Sequence, residues 1–257
     1  GFATYGVAPA AAVKPIPHGF HFDQACNFAG SYETAYHCLV HCGKLQAGET
    51  VLIHGASGAT GLAAVQVAKA IGATVIATGR RMSKLKVVAE QGADHTLSLA
   101  KEDGQPGIRS FRQEVKDLTG GKGVDVVYDG VGGDISIESL RCVKFGARFL
   151  IVGWASTPTV AKGRGGRGAP NANRLPTNLI MMKGLQVLGC PTVIATQKDP
   201  SIRTPRVAQL ARWTEAGLLN PHISHVFSLE HVKEALKARW TGQIIGGCAV
   251  RPPTDTD

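Results

Sequence analysis

The sequence predicts an α/β fold, a doubly wound parallel sheet of six strands with helices on both faces, to which the two chain ends add pieces of a second, β-rich unit. Three observations predict it. From Thr50 onward, short β-branched runs alternate with helix-length stretches, the pattern of parallel βαβ units. A glycine-rich turn, His54-Gly-Ala-Ser-Gly-Ala-Thr-Gly61, stands between the first such run and the first such helix. The 257 residues, 44% hydrophobic and 18% charged, suffice for a buried core with a charged surface, which sets disorder and collagen-like repeats aside.

Residues 50–54 (TVLIH) read as a buried strand, and 58–71 as a helix in which Leu62, Val65 and Ala68 recur at helical spacing among small residues. Residues 74–78 form the next strand, followed by a helix over 83–91 that Gly92 stops. The period repeats as a strand at 95–99, a helix at 108–118, a strand at 124–128, a helix at 135–143 and a strand at 147–152. A sixth strand follows at 186–188, and a helix at 206–216. Two ends lie outside this scheme. Residues 1–16, with Tyr5, Val7 and Val13 among prolines, read as strand and loop; residues 226–250 read as strand, helix (229–240) and final strand. Residues 161–173 (AKGRGGRGAPNAN) form a low-complexity Gly/Arg loop.

The formal charge is +9. Between Ser139 and Lys198 there is no Asp or Glu, and nine cations in that stretch equal the whole net charge. Nucleic-acid binders interleave such charge with stacking aromatics, whereas this stretch has only Phe145, Phe149 and Trp154. That argues against a nucleic-acid partner and for a solvated basic face or a funnel for an anionic ligand. No apolar run approaches the roughly 18 residues of a membrane span. Six scattered cysteines without a Cys-x-x-Cys fit a reducing compartment, so an intracellular protein, cytoplasmic or mitochondrial, is expected. The chain starts at Gly1 without a methionine or a leader pattern, as a fragment or processed form does.

The turn at 54–61 has the G-x-G-x-x-G spacing with Ala56 in the first place. Gly58 permits close approach to phosphates, Gly61 lets the helix pack tightly on the sheet, and the N–H groups of Ala59 and Thr60 are candidate donors. Ser57 lies in the turn but does not make a nucleophile elbow, since Ala59 replaces the required glycine. The second strand ends Thr78-Gly79-Arg80-Arg81. Gly79 stands near the place of the acidic residue that would hold an adenosine 2′-hydroxyl. Arg80, Arg81 and Lys84 offer the charge a 2′-phosphate needs, so NADPH is expected over NADH. Two further strands end in glycines on the same edge, at Asp129-Gly-Val-Gly-Gly133 and at Gly153-Trp154.

The chain resembles the medium-chain dehydrogenase/reductase superfamily in its zinc-free quinone oxidoreductase branch, on residues 34–36 (TAY), 45–52 (LQAGETVL), 55–61, 92–94 (GAD), 123–127 (GVDVV), 131–133 (VGG) and 146–148 (GAR). The resemblance implies a Rossmann domain over 25–222. Residues 1–24 would be the last strands of a truncated GroES-like domain and 223–257 the return to it, with roughly 80 to 100 residues of that domain preceding Gly1. It implies zinc-independent hydride transfer from NADPH to a small-molecule quinone or α,β-unsaturated carbonyl (enone or enoyl), and a homodimer. By resemblance Thr34 touches the nicotinamide amide, Ala56 to Gly61 the pyrophosphate, and Arg80 with Lys84 the 2′-phosphate, while Val131, Gly132, Val152, Gly153 and Trp154 line the nicotinamide half. No general acid carries over, which leaves Tyr5, Tyr32, Tyr36 and His37 as candidates for proton donation. At the return strand, Gly242-Gln-Ile-Ile-Gly-Gly-Cys248 lacks the glycine-lysine pair usual in the family.

Two other readings stand beside this one. His37-Cys-Leu-Val-His-Cys42 puts two histidines and two cysteines at i, i+4 on a helix, a spacing that suits zinc, but no second ligand pair accompanies it and no metal is expected. A catalytically inactive dinucleotide-binding subunit, serving a structural or interaction role in a larger assembly, is the alternative to the enzyme.

Overall fold

The structure is a computed structural model that describes residues 2–101, 104–156 and 173–253. Helix α1 (Phe22–Tyr36) runs into a π-helical turn at His37–Cys42. Strand β1 (Thr50–Ile53) then leads to α2 (Ala59–Ile71), which stops where Gly72 turns left-handed (φ 92°) and donates back to Ala68 and Lys69. The alternation continues through β2 (Thr74–Gly79), α3 (Met82–Glu90), β3 (His95–Ser98), α4 (Arg112–Leu118), β4 (Val124–Asp129), α5 (Asp134–Ser139) and β5 (Val143–Ile151). After α6 (Thr177–Met182), β6 (Gln186–Gly189), α7 (Thr192–Lys198) and α8 (Arg203–Glu215), the chain ends in β7 (Ile223–Ser228), α9 (Val232–Trp240) and β8 (Gly247–Arg251).

Six strands form one all-parallel sheet in the order β3-β2-β1-β4-β5-β6, and β7 pairs with β8 in a separate parallel pair. The order reverses between β1 and β4, where the chain crosses from one half of the sheet to the other, the place beyond the strands' carboxyl ends where sheets of this kind take ligands. Each central strand feeds two cores. Val51 and Ile53 of β1 enter the core shared with α1, α2 and α8, while Leu52 enters the one shared with α4 and α5. Strands buried on both faces read as unbroken apolar runs, which is why 51–53, 75–77 and 126–127 carry no polar residue. Among the described residues no helix is long and apolar enough to cross a membrane.

Several boundaries differ from the sequence expectation. Residues 2–21 hold no strand, only a 3-10 turn at Ala10–Ala12, because Pro9, Pro15 and Pro17 remove ladder donors and no described strand lies alongside. Helix α4 starts at Arg112 rather than 108, since the Arg109 N–H and guanidinium bond the Leu99 and Ser98 carbonyls and hold 108–110 against the end of β3. Strand β5 starts at Val143, paired with Val124, which shortens α5. Helix α1 crosses position 24/25, and β7 begins at Ile223.

Candidate nucleotide-binding site

Between β1 and α2 the backbone reverses on short bonds: His54 N–H to Tyr128 O (3.0 Å), Ala56 N–H to Thr78 O (3.2 Å) and Gly58 N–H to Gly55 O (3.0 Å). Gly55 sits at φ 64°, and a Cβ on Gly61 would overlap the Gly55 carbonyl oxygen, so both positions need glycine. Gly58 caps α2 without a side chain over the helix entrance. In the first turn of α2, Thr60 and Gly61 have no carbonyl one turn back to receive their N–H groups, and no acidic side chain competes there. This cradle of donors and positive helix dipole fits a pyrophosphate. Ala56 is buried, while Ser57, Ala59 and Thr60 are partly open. The return segment presses on the same turn, with Gly246 N–H donating to Ser57 O (2.9 Å).

At the end of β2 the predicted residues separate into different tasks. Thr78 faces inward, wholly buried, its hydroxyl 2.8 Å from His54 Nδ1. Gly79 packs against Leu85. Arg81 donates to the carbonyls of Gly242 (2.9 Å) and Thr241 (3.4 Å), and Lys84 Nζ to that of Ile244 (2.7 Å). Burial, with Arg81 beside it, pulls the Lys84 ammonium below its usual range. Of these three cations, Arg80 is exposed and its guanidinium pairs with no described residue.

The turns after β4 and β5 are laced together. Val152 and Gly153 donate to Asp129 O, Ala155 to Gly130 O and Ser156 to Val131 O. Gly132 is buried and Val131 half-buried, while Trp154 is 54% exposed beside them. Beneath these turns lies a polar network that sequence reasoning did not single out. The Ser139 hydroxyl donates to Ile135 O (2.7 Å), which leaves its oxygen to accept from His54 Nε2 (2.7 Å); Nδ1 then accepts from Thr78. His54 is therefore a neutral imidazole with both nitrogens used, and burial holds it well below its usual range against the pull of Asp129. The available signal was an ionisable residue ending each buried apolar run, His54 after 50–53 and Asp129 after 124–128.

None of the proton-donor candidates belongs to these turns. Tyr5 is 84% exposed in the extended N-terminal segment. Tyr36 is half-buried with its ring tilted 5.7 Å from that of Trp213, and burial raises its phenol. Tyr32 donates to Gln66 (2.6 Å) in the core. Thr34 bonds back to Gly30 O (2.8 Å) within α1. The Gly/Arg loop falls outside the described residues except for Asn173.

Among the described residues no group of three or more His, Cys, Asp or Glu side chains is arranged to hold a metal ion. In the His37–Cys42 turn the two imidazoles stack on each other at 5.0 Å, and burial, with His41 and Arg206, pushes His37 down to about 4. Hydrogen bonding with Cys190, then burial, keeps the Cys42 thiol protonated. These residues do not fit a zinc centre.

Comparison with known proteins gives a consistent result. A family model described as zinc-binding dehydrogenase matches residues 59–199, more than half of the chain. Quinone oxidoreductase-like protein 2 homolog of Nematostella vectensis is 33% identical over 251 residues, covering 95% of this chain and 63% of that protein. The chain thus spans less than two thirds of that relative's length. A crystal structure of an NAD-dependent alcohol dehydrogenase superposes with a TM-score of 0.77 at 27% identity, covering 97% of this chain and 64% of the other. The CurK enoyl reductase superposes with a TM-score of 0.73 at 25% identity, covering 92% and 64%.

Proposed function

The chain belongs to the zinc-binding dehydrogenase family of medium-chain dehydrogenases/reductases, and from that membership we propose that it is a zinc-independent oxidoreductase that uses NADPH to reduce a quinone or an α,β-unsaturated carbonyl. The observation that carries the proposal is the helix entrance at Gly58–Gly61, open and lined with donors, at the reversal point of the sheet. When bound, the cofactor supplies hydride from its reduced ring. The chain's own residues bind and orient. Thr60 and Gly61 hold the pyrophosphate, Arg80 meets the 2′-phosphate, and Val131, Gly132, Val152, Gly153 and Trp154 form the wall for the nicotinamide half. The quinone reading draws on the named relative and the enone reading on the enoyl reductase.

The inactive-subunit reading draws on a different observation: Arg81 and Lys84 are already engaged by the return segment. We further propose an intracellular homodimer joined at the open edge of β6, where Met181, Met182, Val193 and Ile194 are each more than half exposed. Fluorescence titration with NADPH and NADH tests the main reading. Micromolar NADPH binding that weakens about tenfold in Arg80→Ala, with NADH weak in both proteins, supports it. Absence of binding of either nucleotide overturns it, while NADPH binding without turnover of any quinone or enone favours the inactive dinucleotide-binding subunit.

A further inference from the structure

The two glycine turns at the carboxyl edge of the sheet have opposite donor arrangements. The turn after β1 leaves N–H groups free at the helix entrance, whereas the turn after β4 turns three successive N–H groups inward. Val131 and Gly132 both donate to Asp129 Oδ1 (2.9 Å each), and Gly133 donates to Asn173 Oδ1 (3.3 Å). Ser136 ties the two acceptors together: its hydroxyl donates to Asp129 Oδ2, and its oxygen accepts from Asn173 Nδ2 (3.1 Å). Asp129 is 1% exposed, and no described residue forms an ion pair with it. A carboxylate buried without a counter-cation is costly unless hydrogen bonds satisfy it, and here they come from the turn it shapes. With the N–H groups of 131 to 133 consumed and the carbonyls of Gly130 and Val131 tied to 155 and 156, these groups are not offered to a phosphate. What the turn offers is Val131, whose Cγ2 would lie 3.2 Å from a Cβ on Gly55 of the phosphate turn.

We propose that Asp129, acting through Ser136 and Asn173, is a positioning residue that fixes the 130–133 turn, and with it Val131, against the nicotinamide half of the dinucleotide. The inference rests on the nucleotide reading above and deepens it. Gly132 (φ 77°) and Gly133 (φ 72°) hold left-handed conformations, so removing the acceptors frees a segment with many alternative conformations. The N–H groups held by the brace all belong to the turn after β4, so its loss is expected chiefly at the half of the ligand that this turn faces.

The test measures affinities of the parent chain and of Asp129→Ala, Asp129→Asn and Asn173→Ala for NADPH and for 2′-phospho-ADP-ribose, which lacks the nicotinamide ring. Asp129→Ala and Asn173→Ala are expected to weaken NADPH about tenfold while leaving 2′-phospho-ADP-ribose within about twofold. Asp129→Asn, whose amide oxygen still accepts from Val131 and Gly132, should retain most of the NADPH affinity. Equal weakening of both ligands, or unchanged NADPH affinity in both alanine variants, overturns the proposal. Should Asp129→Ala fail to fold, Asn173→Ala decides alone, since Asn173 lies at the surface end of the brace. A parent chain that binds neither ligand overturns the nucleotide reading and the brace with it; a parent that binds both isolates the brace as the failing part.

Discussion

At the scale of single residues, the buried polar groups set the chemistry of folding. His54 and His37 are both held neutral by burial, below the ordinary histidine value of 6.5. The unfolded chain therefore takes up protons first as pH falls from about 6.5 toward about 4, and the folded state loses stability through that window. Urea midpoints measured across it should fall with acidification. In His54→Gln the slope should be shallower by about one proton, roughly 1.4 kcal/mol per pH unit, and an unchanged slope would mean that His54 titrates normally. Gly61→Ala should cost about 3 kcal/mol in the same assay, because the added methyl overlaps the Gly55 carbonyl and helix α2 cannot shift without opening the core it shares with α1 and α8. Of these features, the need for glycine at 61 was legible from motif spacing. The hydrogen bonds of His54 were not, since their partners lie 24 and 85 residues away.

At the scale of elements, α1 and α8 are held together by a charge cluster that no periodicity announces. Arg206 is 2% exposed and reaches Glu33 at 3.2 Å, while its Nη2 donates to Thr196 (2.7 Å). Glu33 also meets Arg203, which is half exposed. Truncating Glu33 leaves a buried guanidinium without its carboxylate, so Glu33→Ala should destabilise by about 3 kcal/mol. Arg203→Ala should cost less than about 1 kcal/mol, since solvent screens that arm of the cluster. Chemical denaturation of both variants checks the contrast; equal losses would contradict it. Helices α6 and α7 went unread for a related reason, being six and seven residues long with no buried residue to mark a face. Helix α1 does carry the spacing Phe28, Tyr32, Ala35, Leu39, but Gly30 and its polar neighbours dilute it.

At the scale of the whole molecule, the parallel sheet has two edges, β3 and β6, and among the described residues only β6 is flanked by a cluster of exposed apolar side chains. If two copies join there, Val193→Asp with Ile194→Asp should shift the particle from dimer to monomer mass in light scattering, without moving the NADPH affinity. An unchanged mass would remove that edge as the interface. Long-range contacts also join the return segment to the start of α3, since Arg81 and Lys84 bond carbonyls 160 or 161 residues away. Alanine at both positions should loosen residues 241–246, seen as faster amide exchange there, if those bonds anchor the segment.

Taken by itself, the sequence determined the parallel α/β class, the six strands and their order of appearance, and the glycine turns, because these depend on local periodicity and on backbone conformations that only certain residues adopt. Only the tertiary structure decided that Arg81 and Lys84 hold the return segment, that Thr78 faces His54 and that Asp129 shapes the turn after its own strand. It decided as well that residues 2–21 stay out of any sheet. The physical reason is that pairings across tens of residues are selected by strand order and by the need to satisfy every buried polar group, and neither leaves a period in the chain.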